Sequence, residues 1–169
     1  MGCICQTFKK KIETSLQHTS DLVVQGSDGL DLKKADKTVP LFNFQGMTVD
    51  AKIVYCYDGD SCHIVFPFQN ELKRFVIRME GYDCPEMKPR KAGRTQESLN
   101  KEKASAQKAK ERFEQLVSNQ VLKVQLGGFD KYGRILGKIY LNSGECVNDI
   151  MIKEGYAKVY DGGTKQNDF

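Results

Sequence analysis

From about residue 46 onward, hydrophobic and polar residues alternate in patterns that predict regular secondary structure. Five stretches rich in β-branched and aromatic residues predict strands: 49–57, 62–68, 72–79, 121–126 and 134–141. Asp58 and Gly59 end the first strand, and Gln69 and Asn70 separate the second from the third; both pairs are typical turn residues. The segment from Gly81 to Gly93 is predicted to be a loop.

Two segments have the spacing of amphipathic helices. The longer one, 98–118, is predicted to bury an apolar stripe and to turn its lysines and glutamates toward water. That stripe consists of Ala106, Ala109, Phe113, Leu116 and Val117. The shorter helix covers 145–154, and Gly155 suits the residue after its end. The order β-β-β-α-β-β-α predicts a mainly β, α+β fold: a five-stranded OB-type barrel with two helices.

Residues 1–44 differ in composition from the rest of the chain, because a polar, turn-rich stretch between residues 26 and 37 separates the N-terminus from the first strand. We therefore expect an N-terminal segment at 1–44, one folded domain at 45–162 and a short C-terminal tail at 163–169.

Composition narrows the class of protein only slightly. The 169 residues suffice for one hydrophobic core, and 40% hydrophobic and 28% charged residues are typical of a soluble globular chain. The net charge of +4 fits a polyanionic partner without requiring one. The sequence lacks both a membrane-spanning apolar run and the apolar core of a secretory signal, so we expect its six cysteines to be reduced.

Three short motifs carry the chemistry: Asp-Gly-Asp at 58–60, Arg-Met-Glu-Gly-Tyr-Asp-Cys-Pro-Glu at 78–86, and Asp-Lys-Tyr-Gly-Arg at 130–134. Taken singly, each is explained by a turn, a surface ion pair or a hairpin loop. Taken together, carboxylates on tight turns suit Ca²⁺ and paired arginines suit a phosphate. The sequence therefore favours a metal-dependent enzyme that cuts phosphodiesters. Histidine-centred nuclease chemistry is less plausible, because the chain has only His18 and His63.

These three motifs, in this order, resemble the staphylococcal nuclease (thermonuclease) family. The segment 144–160 is also similar to that family's final helix and following strand, so the resemblance covers about 48–162. It implies that Arg78 and Arg134 bind the scissile phosphate and that Glu86 orients or deprotonates the attacking water. It further implies cleavage of the 5′ P–O bond, which leaves 3′-phosphate ends.

The same resemblance implies a metal site and contacts to the nucleic acid. In the metal site that the resemblance implies, the ligands of one Ca²⁺ would be Asp60, Asp83 and the backbone carbonyl of Cys84. Asp58 would act through water or brace the turn. The family usually has threonine where this chain has Cys84, but a carbonyl ligand does not depend on its side chain. Lys131 and Tyr132 would contact neighbouring phosphate or sugar. The basic run 88–94 is either a solvated loop or a guide for the nucleic-acid strand.

The N-terminus Met-Gly-Cys-Ile-Cys resembles the start of dual-acylated, membrane-anchored signalling proteins and of some plant nucleases of the same family. It implies myristoylation of Gly2 and palmitoylation of Cys3 and Cys5, with the three lysines at 9–11 adding a polybasic patch. Gln6 stands where such motifs usually have serine or threonine. An unmodified leader is the alternative.

We therefore expect a calcium-dependent nuclease that cuts DNA and RNA, preferentially single-stranded and with low sequence specificity. We also expect a monomer that is intracellular and anchored to a membrane surface through its acyl chains, or otherwise cytoplasmic. One alternative is a catalytically inactive OB module that binds nucleic acid or a protein. The intact set of acidic and arginine residues argues against that alternative. An anchored interaction adaptor would explain only the N-terminus.

Overall fold

The computed structural model describes residues 32–160 and residue 162. The chain divides into two compact units, Met1–Leu41 and Phe42–Phe169. The described part of the first unit contains a 3₁₀ turn at Leu32–Lys34, followed by Asp36, whose carboxylate accepts hydrogen bonds from the backbone N–H and hydroxyl of Thr38. The predicted lipidation sites Gly2, Cys3 and Cys5 lie outside the described residues.

The second unit is built on a closed five-stranded barrel, which confirms the predicted fold class. Its strands are β1 Thr48–Cys56, β2 Ser61–Phe68, β3 Glu71–Met79, β5 Val121–Phe129 and β6 Ile135–Tyr140. The barrel order is β1-β2-β3-β6-β5, and pairing of β1 with β5 closes it. The pairing of β3 with β6 is parallel, whereas the other four pairings are antiparallel.

Period-two alternation places one face of each strand in the core. On β6, for example, Ile135, Gly137 and Ile139 are buried, while the residues between them are partly exposed. Strands β1 and β5 each carry a bulge, and the bulge in β5 falls at Gly127 and Gly128. Bulges of this kind bend a strand and so help a sheet to curve into a barrel.

Two helices pack on the barrel: α1 Gln96–Val117 and α2 Val147–Lys153. Thr95 caps α1 by accepting the N–H of Ser98, and Gly155 ends α2 with a φ of 78°. Among the described residues, no helix has the length and apolar character needed to cross a membrane. The expectation that the glutamates of α1 face water is wrong for Glu102, which is only 5% exposed.

Two short strands lie outside the barrel: the first was not predicted, and the second follows the last helix, where the family resemblance implied a strand. β4, Tyr82–Asp83, lies in the segment expected to be loop, and it pairs antiparallel with β7, Lys158–Val159. The N–H of Tyr160 extends this ladder by donating to the carbonyl of Gly81 at 3.0 Å. This small sheet ties the end of the described chain to the segment that follows β3.

The apolar character of reduced cysteine favours burial of Cys56, Cys62 and Cys146, and the first two are buried. Cys56, Cys62 and Cys84 are buried free thiols. The expectation is wrong for Cys146, which precedes the first residue of α2 and is only partly buried.

Candidate active site

Three turns meet at the candidate site because of the strand register. Ser61, the first residue of β2, pairs with Arg78 near the end of β3. Arg78 in turn pairs with Leu136 of β6, two residues after Arg134. The β1–β2 turn, the end of β3 and the turn before β6 are therefore neighbours, although they are distant in sequence.

The β1–β2 turn is held by bonds from within and from outside. Asp58, partly buried, accepts the N–H of Asp60 at 3.1 Å, a local bond that fixes the turn. The carbonyl of Gly59 accepts the hydroxyl of Tyr82 at 2.8 Å, and Tyr82 is fully buried. Gly59 also lies against helix α1, since a β-carbon there would stand 3.0 Å from Cβ of Ala109. These contacts hold the turn in one position against the barrel.

Arg78 lies between two buried carboxylates. Its guanidinium approaches Oδ2 of Asp60 at 3.1 Å and donates to Oδ1 of Asp83 at 2.6 Å. It also donates to the carbonyl of Met79 at 3.3 Å. Arg78 itself is only 8% exposed. Arg78 thus contacts both Asp60 and Asp83, the two side chains that the family resemblance implies as metal ligands.

The carboxylate of Asp60 has protein partners on both oxygens. Oδ1 accepts the hydroxyl of Ser61 at 3.0 Å, and Oδ2 accepts the N–H of Cys84 at 3.0 Å. Burial raises the pKa of Asp60 to about 6; the Arg78 guanidinium opposes this rise, and the neighbouring charge of Asp58 adds to it. A further positive charge beside Asp60 would therefore help to keep this buried carboxylate ionised.

Arg134 reaches the same group of residues from the turn before β6. Its Nε donates to Oδ2 of Asp130 at 2.7 Å, and its Nη1 donates to Oγ of Ser61 at 3.3 Å. Because Ser61 also donates to Asp60, the partner of Arg78, this serine links Arg134 to Asp60. Burial raises the pKa of Asp130, but hydrogen bonds from Arg134 and from the N–H of Tyr132 more than offset this, so the net shift is downward. Asp130 is thus an ionised brace for Arg134.

Lys131 and Tyr132 project at the tip of this turn. Tyr132 is 72% exposed, and its ring centroid lies 5.1 Å from Nζ of Lys131 and 5.6 Å from Cζ of Arg134. An exposed ring beside two cations offers a surface on which a base or sugar could stack next to a phosphate.

Cys84 contributes through its backbone. Its thiol is buried against Gly59, and burial strongly raises its pKa, so the sulfur stays protonated at neutral pH. Its N–H bonds Asp60, as described above. Because this contact uses the backbone N–H, it does not depend on the cysteine side chain at position 84.

Glu86 is exposed, and its backbone is anchored to helix α1. The N–H of Glu86 donates to Oε1 of Glu102 at 3.1 Å. The other oxygen of Glu102 pairs with Arg94, whose guanidinium also donates to Oγ of Ser98 at 2.8 Å. The expected base is thus held by residues of the following loop and helix.

The basic run 88–94 divides into two groups. Lys88, Arg90 and Lys91 are exposed and remain available to a nucleic-acid strand. Arg94 instead turns inward toward Glu102. The sequence reasoning did not distinguish these two groups.

The sequence did not single out Ser61 or Glu102, and it indicated Arg94 only as part of the basic run. Nothing in the sequence marks Ser61, because its importance comes from the strand register. Glu102 did carry a signal, since it lies in phase with the buried positions Leu99 and Ala106 of α1. A glutamate at such a position calls for a buried partner.

A metal ion at this site would need oxygen donors from the acidic residues. In the part of the chain that the structure describes, no group of three or more histidine, cysteine, aspartate or glutamate side chains is arranged to hold a metal. The two buried carboxylates of Asp60 and Asp83 nevertheless are the hard oxygen donors that Ca²⁺ prefers. The residues fit an open site completed by water and substrate, not a closed protein cage.

Comparison with known proteins identified related nucleases. The family model for staphylococcal nuclease homologues matches residues 76–168. The staphylococcal-like nuclease CAN1 of Arabidopsis thaliana is 35% identical over 96 residues, covering 55% of this chain and 25% of that protein. An uncharacterized endonuclease of Escherichia coli is 29% identical over 113 residues, covering 67% of this chain and 62% of that protein. The chain therefore spans less than two thirds of the length of either relative.

Proposed function

Because the chain belongs to the staphylococcal nuclease homologue family, we propose that it is a nuclease that hydrolyses phosphodiester bonds of DNA and RNA. The observation that carries this proposal is the convergence of Arg78 and Arg134 on Ser61 and Asp60. Two fixed guanidinium groups beside buried carboxylates are suited to an anionic substrate that also requires a cation. The nuclease names of the relatives support the same activity.

In this proposal the two arginines bind the scissile phosphate and stabilise the charge that builds on its oxygens during attack. Preorganised donors lower the barrier because they need little rearrangement as that charge develops. Arg78 is held by Asp60 and Asp83, and Arg134 is held by Asp130, so both guanidinium groups are positioned before substrate arrives. Glu86 orients the attacking water and accepts its proton at the side-chain carboxylate.

We include one Ca²⁺ in the proposal. Asp60, Asp83 and the backbone carbonyl of Cys84 would hold it, and Asp58 would brace the turn. When bound, the ion would supply positive charge that offsets the charge of the phosphodiester. An open site of this kind is expected to bind Ca²⁺ weakly, with a Kd on the order of 10⁻⁴–10⁻³ M before substrate joins.

We propose that the substrate strand is single-stranded or loosened and that recognition has little sequence specificity. Tyr132 offers an exposed face for stacking, and Lys131 lies beside it. The exposed cations Lys88, Arg90 and Lys91 could follow the backbone. Stacking and phosphate contacts tolerate any base sequence.

The first test is hydrolysis of denatured DNA and of RNA by the purified protein, with Ca²⁺ and then with a chelator. Calcium-dependent cleavage should fall at least about 10²-fold in Glu86→Gln and in Arg134→Ala, which remove the base and one phosphate ligand. Arg112→Ala is the matched control, because Arg112 forms an ion pair with Glu154, a residue that has no role in the proposed site. A folded protein that binds the strand without cleaving it over a range of Ca²⁺ and alkaline pH would instead be a binding module.

We also propose that the N-terminus anchors the protein to an intracellular membrane surface through Gly2, Cys3 and Cys5. One acyl chain gives marginal, reversible binding, whereas a second chain or a polybasic patch makes it stable. In cells that contain myristoylation enzymes, Gly2→Ala should move the protein to the soluble fraction. Cys3→Ser with Cys5→Ser should leave only weak, salt-sensitive association. Persistent membrane binding of Gly2→Ala would exclude the acyl anchor.

A further inference from the structure

Glu102, a buried carboxylate on helix α1, has no role in the proposed reaction. It nevertheless contacts the backbone of Glu86, the proposed base. Glu102 is 5% exposed, and both of its oxygens have partners: the N–H of Glu86 and the guanidinium of Arg94. Burying a carboxylate is costly unless it is paired and hydrogen-bonded. Alanine at this position would fill the apolar stripe of α1 without that cost, so Glu102 is best explained by what it holds.

In the segment 84–86, both backbone N–H groups donate hydrogen bonds to carboxylates. The N–H of Cys84 donates to Oδ2 of Asp60, and the N–H of Glu86 donates to Oε1 of Glu102. Pro85, between them, has no N–H and a restricted φ. A carboxylate thus holds the backbone at each of these two points. This arrangement sets where the side chain of Glu86 begins relative to Asp60 and Asp83.

Arg94 keeps Glu102 in place from the loop side. Besides the ion pair, its guanidinium donates to the hydroxyl of Ser98 at 2.8 Å and to the carbonyl of Ser98 at 3.4 Å. Ser98 and Glu102 are one helical turn apart on α1, so the guanidinium bridges two turns of a rigid helix. Arg94 lies near the end of the loop that joins β4 to α1, so its pair with Glu102 closes that loop onto the helix.

We propose that Glu102, supported by Arg94, is a positioning residue that fixes Glu86 for catalysis through the Glu86 N–H. This proposal rests on the nuclease function proposed above. Neither residue touches the substrate; their effect is on where the Glu86 carboxylate stands relative to the phosphate. Misplacement of a catalytic group by about 1 Å can cost on the order of 10²-fold in rate.

The test combines kinetics with a readout that does not depend on activity. Glu102→Ala should lower kcat on denatured DNA by about 10- to 100-fold, the usual effect of losing an orienting partner. KM and the Ca²⁺ concentration for half-maximal rate should stay close to wild type, because the substrate and metal ligands remain. In the full-length protein, hydrogen exchange of the Glu86 amide should accelerate markedly. Glu102→Gln, which keeps an acceptor oxygen, should preserve both the amide protection and most of kcat.

A double-mutant cycle separates positioning from general stability. If Glu102 acts through Glu86, Glu102→Ala should reduce kcat little further in a Glu86→Gln background. Fully multiplicative losses would overturn the proposal, as would a wild-type kcat in folded Glu102→Ala. Glu111→Ala is the matched control, since Glu111 is an exposed glutamate on the same helix, and its carboxylate accepts a hydrogen bond from the side chain of Gln107.

Two further outcomes remain informative. If Glu102→Ala does not fold, Glu102→Asp keeps the charge but withdraws the acceptor by one methylene; it should show the same loss of kcat and amide protection, and unchanged values would overturn the proposal. If the wild-type protein does not cleave, the proposed function fails. Amide exchange at Glu86 still tests the contact to Glu102 in that case, and a fully exposed Glu86 amide would overturn it.

Discussion

At the scale of single residues, Gly59 has no room for a side chain. A β-carbon there would lie 2.8 Å from Sγ of Cys84 and 3.0 Å from Cβ of Ala109. We predict that Gly59→Ala destabilises the protein by roughly 1–3 kcal/mol, the usual cost of overpacking a buried contact. Activity should fall as well, because the turn that carries Asp60 must move. Urea denaturation and a cleavage assay measure the two effects.

Gly128→Ala provides the comparison for this prediction. A β-carbon at Gly128 would meet nothing within 4 Å, and its φ lies outside the left-handed range. Its urea midpoint should therefore change much less than that of Gly59→Ala. Equal effects of the two substitutions would mean that the close approach of the turn to helix α1 is not what limits position 59.

The reactivity of the cysteines can be predicted from their burial. Burial raises the pKa of Cys56 to about 12 and also raises the pKa values of Cys62 and Cys84. These three thiols should therefore stay protonated at pH 8 and react slowly with iodoacetamide in the native protein. Cys146, which is partly exposed, should react faster. Peptide mapping by mass spectrometry gives the rate at each site.

Unfolding in denaturant supplies the control for labelling, since all four thiols should then react at similar rates. Rapid modification of Cys84 in the native state would contradict the packing of its sulfur against Gly59. It would also show that the neighbourhood of Asp60 opens easily.

At the scale of elements, the turn between β2 and β3 carries strain in its backbone. Gln69 and Asn70 have φ values of 53° and 63°, and they connect the paired residues Phe68 and Glu71. Left-handed backbone costs most non-glycine residues about 1–2 kcal/mol, and a two-residue hairpin with this geometry favours Asn-Gly. We predict that the double variant Gln69→Asn/Asn70→Gly raises stability by roughly 1 kcal/mol, measured as a higher urea midpoint.

A substitution that disfavours positive φ in this turn should lower the stability of the protein. Gln69→Val places a β-branched residue at a positive φ and should lower the urea midpoint. Cleavage activity should be unaffected in both variants, because the turn contributes no residue to the site. Unchanged midpoints in both variants would mean that the turn does not hold this geometry in solution.

Elements with a clear period could be predicted from the sequence, and those without one could not. The alternation in β2 and β6 and the helical stripe of α1 each involve several buried residues, so burial imposes a readable pattern. Strands β4 and β7 have two residues each, too few to show any period. They form because Tyr82 is buried and the chain after α2 returns beside it.

Site residues could be predicted where they belong to motifs that match the family's order. They could not be predicted where the pairing of strands brings them together. Asp60, Arg78 and Arg134 could be singled out from the sequence, and their contacts through Ser61 follow from the register of β2, β3 and β6. A serine at the start of a strand carries no such information. Glu102 was misjudged because most glutamates on a helix face water, although its phase with the apolar stripe indicated otherwise.

At the scale of the whole molecule, the site depends on barrel closure and on the return of the chain after α2. Strand β7 pairs Val159 with Tyr82 and Lys158 with Asp83, next to the pair formed by Asp83 and Arg78. The last described strand thus supports one of the two carboxylates that hold the arginine. The barrel itself does not include β4 or β7.

We therefore predict different results for two shortened chains. A chain ending at Ala157 loses β7, so the barrel should still fold while cleavage falls by about 10-fold or more, since Asp83 is less firmly placed. A chain ending at Tyr160 keeps β7 and its bond to the carbonyl of Gly81, so it should retain most of the activity of the full chain. Circular dichroism and thermal melting confirm folding, and the cleavage assay compares the three chains. Equal losses in both shortened chains would assign the effect to residues beyond 160 and not to the β4–β7 pairing.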